Sequence, residues 1–135
     1  MGVLAIDFGL KRIGVAGRDD LGIASHPIKL VFNDSKEEYF NEIVSIINER
    51  NPELILVGLP IKDDGRLKIQ TDIENFTKKL KNLIDVEVKY WNENFTSKEA
   101  DEILIKMNVS RKKRKSFQDM LAACLIIDSY LRSLR

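Results

Sequence analysis

The sequence predicts an α/β fold: a mixed five-stranded sheet with helices on both faces, its elements in the order βββαβαβαα. Three observations carry the prediction. Three short β-rich runs with tight connections open the chain and read as an antiparallel meander. The apolar period then changes from that of strands to that of helices, and helical stretches open on capping boxes. Short apolar strands alternate with these helices, and one is apolar without interruption, as a strand covered on both faces should be. A meander followed by parallel crossover units gives a mixed sheet.

The first strand is Val3 to Ile6, closed by a turn at Phe8-Gly9-Leu10-Lys11. Arg12 to Gly17 is the second. Ile23 to Phe32 is the third, and Pro27, which cannot donate to a ladder, puts it at the sheet edge or on a bulge. Ser35-Lys36-Glu37-Glu38 is a capping box ahead of Phe40, Ile43, Val44 and Ile47, and Asn51-Pro52 ends that helix. Leu54 to Leu59 is the buried strand, followed by a loop with Gly58-Leu59-Pro60 and Asp63-Asp64-Gly65. Ile73, Phe76, Leu80, Leu83 and Ile84 share one face of the next helix. Val86, Val88 and Tyr90 alternate as the last strand, with Tyr90 and Trp91 expected in the core. Thr96-Ser97-Lys98-Glu99 caps a helix with Ala100, Ile103, Leu104 and Met107 on one face. A basic loop then leads to a final helix from about Ser116 to the C-terminus.

The chain has 135 residues, 44% hydrophobic and 32% charged. This is an ordinary globular composition, expected to form a single domain over residues 1–135. The apolar content excludes disorder as the dominant state. The longest apolar run, Met120 to Ile127, is far short of the roughly 20 residues a membrane span needs. The first residues lack the basic segment of a signal peptide, so a reducing cytoplasm is expected. One cysteine, Cys124, makes no intramolecular disulfide and reads as a small buried hydrophobe; one histidine, His26, makes no histidine-rich metal site and reads as structural or exposed. Catalysis must rest on carboxylates, amines or a hard metal.

Three acids draw notice. Asp7 ends the first strand ahead of Phe8-Gly9. It can serve as a turn-forming acid, or stand where open α/β sheets place ligands. Asp119 falls inside the apolar arc of the last helix, between Ile126 and Tyr130, on a wheel of ~100° per residue. A carboxylate facing a core is costly unless paired. With Ser116 as N-cap, Asp119 would instead be the third helical residue, favoured by free amides. Glu93 follows the last strand, either as a solvated loop acid or, if that strand is parallel to the first, beside Asp7. Carboxylates that converge repel, and Mg²⁺ or Mn²⁺, hard cations that take oxygen ligands, relieve this.

The net charge is only +1, yet Leu104 to Gln118 holds six basic residues and no acid. Arg111-Lys112-Lys113-Arg114-Lys115 covers every face of a helix and reads as an exposed loop or a frayed helix start. The run is either a solvated surface or, standing just before Asp119, a phosphate contact. Lys11 and Arg12, next to Asp7, would extend the same field.

The segment Asp7-Phe8-Gly9-Leu10-Lys11-Arg12-Ile13-Gly14-Val15-Ala16 closely resembles the opening of the YqgF-like family of Holliday-junction resolvases and pre-16S rRNA nucleases. Val57-Gly58-Leu59-Pro60 with Asp64-Gly65, Glu93-Asn94-Phe95-Thr96-Ser97 with Glu99-Ala100, and Asp119-Met120-Leu121-Ala122-Ala123 with Tyr130-Leu131 resemble its later blocks, in order. The resemblance implies an RNase H-like fold and metal-dependent cleavage of nucleic-acid phosphodiesters. It makes Asp7, Glu93 and Asp119 the catalytic and metal-binding acids. The third block departs from the family's Asp-Glu-Arg-Leu-Thr-Ser: Asn94 stands where an arginine could contact phosphate. The competing expectation is a nucleic-acid-binding module with little catalysis, which the missing arginine favours and the three intact acids oppose. The expected partner is structured RNA or branched DNA, bound by a monomer or homodimer with no membrane involved.

Overall fold

The computed structural model describes residues 2–18, 25–34, 38–59, 67–92 and 96–134. The strands are β1 (Val3–Asp7), β2 (Arg12–Arg18), β3 (His26–Phe32), β4 (Leu54–Leu59) and β5 (Glu87–Asn92). The helices are α1 (Glu38–Arg50), α2 (Leu67–Leu83), α3 (Thr96–Lys106) and α4 (Arg111–Ser133). The element order is the one the sequence predicts. The sheet order is β3-β2-β1-β4-β5. The first three strands form the antiparallel meander, while β4 lies parallel to β1 and β5 parallel to β4.

β1 is central, and all five of its residues are buried. Its side chains alternate between two cores, as the strand period requires. Leu4, Ile6 and Phe8 join Ile43 and Ile47 of α1 and Ile73, Phe76 and Leu80 of α2. Val3 and Ala5 join Ala123, Ile126, Ile127 and Tyr130 of α4 on the opposite face. Small residues mark that second face, with Ala5, Ala16, Ala122 and Ala123 all fully buried, so α4 lies close to the sheet. Both readings of Pro27 hold. It stands on the edge strand β3, and the register between β2 and β3 shifts at Val15/Ala16, beside its own pairing position.

Some expectations need correction, and others fall outside the described residues. The third strand runs from His26, with Ser25 before it; the expected start at Ile23 falls in residues 19–24, which lie outside the described residues. The capping residues Ser35 to Glu37 and the loop 60–66 lie outside them as well, as do the side chains of the Thr96 capping box. The last helix begins at Arg111, not near Ser116, so the basic run is its first turns and not a loop. Ser110 is the N-cap, and its side chain accepts a hydrogen bond from the Lys113 amide. Arg114 ties the same turn to α3 through Asp101, Nε to Oδ1 3.4 Å. Cap and tie hold as helix a segment whose positive charges the helix dipole disfavours.

Tyr90 is 39% exposed rather than in the core, because β5 is an edge strand, whereas Trp91 packs edge-on against Tyr130 with centroids 5.2 Å apart. Leu83 is exposed in the last turn of α2. Of the apolar face predicted for α3, Leu104 is buried while Ile103 and Met107 face outward.

Candidate active site

The site forms at the C-terminal end of β1. Strand alternation sends Asp7 to the same face as Val3 and Ala5, toward α4. There the residue is only 5% exposed. In the antiparallel ladder Asp7 sits opposite Gly14, whose hydrogen side therefore faces α4 too. A Cβ at Gly14 would overlap the carbonyl group of Asp119. The α4 backbone therefore touches β2 at the residue that carries the second acid, directly across from Asp7. Gly9 serves the same corner, since a Cβ there would collide with the Arg12 carbonyl in the turn that joins β1 to β2. Both glycines are backbone-approach residues.

Asp119 is the ninth residue of α4, so it cannot be the capping acid of that helix. Its half-buried carboxylate meets Arg12, whose Nε donates to Oδ2 at 3.3 Å. Burial pushes the Asp119 carboxyl above its ordinary value of 3.8, and the Arg12 hydrogen bond and charge pull it partway back. Arg12, Gly14 and Ala16 alternate onto the α4 face of β2, so Arg12 stands on the same side of the sheet as both acids. Among the described residues no three acidic, histidine or cysteine side chains form a metal cluster. Asp7 and Asp119 supply the hard oxygen donors that suit Mg²⁺ or Mn²⁺. Glu93 lies outside the described residues.

The basic residues separate by role. Lys11 is exposed in the turn after Asp7. Arg111, Lys112 and Lys113 are exposed on α4. Lys112 is seven residues before Asp119, two helical turns away along the same side. Arg114 is committed to Asp101 and to the Val109 carbonyl, to which Nη1 donates at 3.4 Å. The side chain of Lys115 lies outside the described residues. Sequence reasoning missed the partnership of Arg12 with Asp119. Its one visible trace was Gly14, a glycine inside a strand pattern and so a sign of close backbone approach.

A meander that runs into two parallel crossover strands, with a C-terminal helix packed across the central strand, defines the RNase H-like fold class. Solved structures of this class match over the whole chain. A fowlpox virus resolvase in complex with Holliday junction DNA superposes with a TM-score of 0.62, at 15% identity and covering 99% of each chain. RuvC of T. thermophilus bound to a Holliday junction gives 0.61 at 16% identity, covering 98% and 96%. At such identities the likeness concerns the fold. The sequence itself matches the RuvX family, described as Holliday junction resolvase, over residues 1–133. A protein of Desulforamulus reducens named "Putative pre-16S rRNA nuclease" is 37% identical over 134 residues, covering 98% of both chains. One of the same name from Clostridium acetobutylicum is 33% identical over 135 residues, covering 99% of this chain and 100% of its own. The chain belongs to the RuvX family, and it is a phosphodiester-hydrolysing enzyme of the RNase H-like fold.

Proposed function

We propose that the chain is a divalent-metal-dependent endonuclease whose substrate is precursor 16S ribosomal RNA. The observation that supports this most directly is that Gly14 pairs with Asp7 in the ladder and receives the backbone of Asp119 on its open face, at the end of the central strand. Structure alone would suit either acid to other work; two desolvated carboxylates at one sheet edge suit a hard cation. We assign Glu93 as the third acid. β5 runs parallel to β4 and β4 to β1, so the chain leaves β5 at the edge where Asp7 stands. Bound there, Mg²⁺ or Mn²⁺ would activate the attacking water and stabilise the leaving oxygen. The protein's own part is positioning. Asp7 and Asp119 hold fixed oxygens, and Arg12 orients the Asp119 carboxylate by donating to Oδ2. Lys11, Arg12 and the exposed Arg111, Lys112 and Lys113 would hold phosphates over the acids without reading sequence.

The resolvase description of the family favours branched DNA as a second substrate. The test is cleavage of matched ribosomal-precursor and four-way-junction substrates with Mg²⁺ and with Mn²⁺, beside an Asp7→Asn control. Metal-dependent scission of the precursor, lost in the control, is expected. Junction cleavage alone would transfer the assignment to DNA, and tight binding with no cleavage of either would leave a binding module.

A further inference from the structure

A second cleft lies at the same end of β1, on the opposite face of the sheet from α4. It has a volume of ≈ 390 Å³, at the lower end of the range that small-molecule sites occupy. Its position follows from the sequence. Phe8 immediately follows Asp7 and, by strand alternation, turns to the other face. Phe8, Tyr39 and Phe76 form an aromatic group along one wall, with Phe8 and Phe76 centroids 5.1 Å apart and Tyr39 and Phe76 6.4 Å apart. On α2, Asp72, Asn75, Phe76 and Lys79 fall at helical spacing and so present one stripe to the cleft.

The polar side chains of the lining include Asn33, Asp72, Asn75 and Lys79. Asn33 Nδ2 donates to the Gly9 carbonyl at 3.0 Å, which leaves its Oδ1 as the unused end. Asn33 also ties the cleft to the turn between Asp7 and Arg12, since its amide donates to the Lys11 carbonyl at 2.9 Å. The side chains of Asp72 and Asn75 make no hydrogen bond or ion pair with the described residues. An ionised carboxylate only accepts. Phe8 and Phe76 are buried in the core and so back the cleft, while the polar groups line its mouth; hydrogen-bonding groups beside aromatic side chains are how proteins hold an unstacked base.

We propose that this cleft binds an unstacked nucleobase of the substrate, within a nucleotide or two of the cleaved bond, and that guanine fits it best. Guanine alone among the four bases offers a ring N–H beside an exocyclic amino group, two adjacent donors for the Asp72 carboxylate. Asn33 Oδ1 and the Asn75 amide supply further partners, and Lys79 is the cation of the lining. A base held here leaves its sugar-phosphate at the strand end, where the chain passes over to Asp7. The choice of a nucleic-acid ligand rests on the nuclease reading; the pocket's chemistry rests on the cleft itself.

The test is an amide-resolved NMR titration of the metal-free protein with guanosine, inosine and uridine 5′-monophosphates. Guanosine monophosphate is expected to shift Asn33, Asp72, Asn75 and Phe76. It should bind about 5- to 150-fold more tightly than uridine monophosphate, since a good bidentate pair is worth ~1–3 kcal/mol of discrimination. Inosine monophosphate, which lacks the amino group, should fall between them. Asp72→Asn should erase the preference, and the exposed Asn75→Leu should weaken it. Equal binding of all three nucleotides, shifts confined to Arg111, Lys112 and Lys113, or a preference untouched in both variants would overturn the proposal. Cleavage by the wild type with no shift at the cleft removes the pocket and leaves the nuclease. Guanosine monophosphate binding, with no cleavage under either metal, does the reverse.

Discussion

Asp119 carries its charge into a place where burial disfavours it, and Arg12 is the group that answers it. The two residues should therefore respond in opposite directions. Asp119→Asn removes a desolvated charge, so metal-free stability should hold or rise while cleavage is lost. Arg12→Leu strands that charge and should cost about 1–3 kcal/mol. Urea denaturation in a chelator, with the double variant to close the cycle, measures both; a clear loss in Asp119→Asn would make the residue structural. Cys124 is buried against the sheet, and burial pushes its thiol up to about 11. The unfolded thiol titrates near 9.0 and gives up its proton first, so stability should fall as pH rises above that value. The decline between pH 8 and pH 10.5 should be steeper in the wild type than in Cys124→Ala. Equal slopes would show that the thiol is solvated in the native state.

At the scale of elements, the contact between β2 and α4 sets the geometry of the acids. Gly14→Ala would force the helix away from the strand at Asp119. The expected cost is ~1–3 kcal/mol, as for other overpacked contacts, with weaker metal binding measured by calorimetry. Normal metal affinity in a destabilised variant would separate the packing role of Gly14 from the site. The helical start of α4 makes the basic run uneven. Replacing Arg111, Lys112 and Lys113 by Gln should make the salt dependence of duplex binding shallower by at most about 2.7, at ~0.9 per contacted phosphate. Arg114→Gln should instead loosen α3 from α4 and change that slope less, because Asp101 already holds the guanidinium. An Arg114 effect on the slope as large as that of the other three would show that the ion pair opens on binding.

For the whole molecule, the central position of β1 means that Asp7 sits on the most deeply packed strand, with a core on each face, and that Asp119 reaches it from the helix packed on one of them. Metal bound there would be linked to global folding. At a free Mn²⁺ or Mg²⁺ concentration of 100 times Kd, the native state should gain ~2.7 kcal/mol. This should appear as a rise in Tm that is absent in Asp7→Asn. An equal rise in that variant would place the binding elsewhere. Among the described residues no helix is long and apolar enough to cross a membrane.

Much of this was legible locally. Strand β4 and helices α1 and α2 follow from apolar periodicity, because each element buries a face whose spacing its own backbone fixes. Asp7 and Asp119 were legible as candidates, one by ending a strand and the other by interrupting an apolar arc. Sequence left Asp119 balanced between cap and site, because the answer depended on where α4 begins. That point is set by the Ser110 cap and by Arg114 meeting Asp101 on another helix. Arg12 and Asp119 are 107 residues apart, and no local pattern records such a pair. The sequence by itself determined the order of strands and helices and the apolar faces of α1 and β4, but not the start of α4 or the buried face of α3. Only the tertiary structure decided that β1 lies between β2 and β4, that Asp7 pairs with Gly14, and that Gly14 admits the backbone of α4. Those facts depend on register and on the close approach of chains distant in sequence, which side-chain periodicity does not encode.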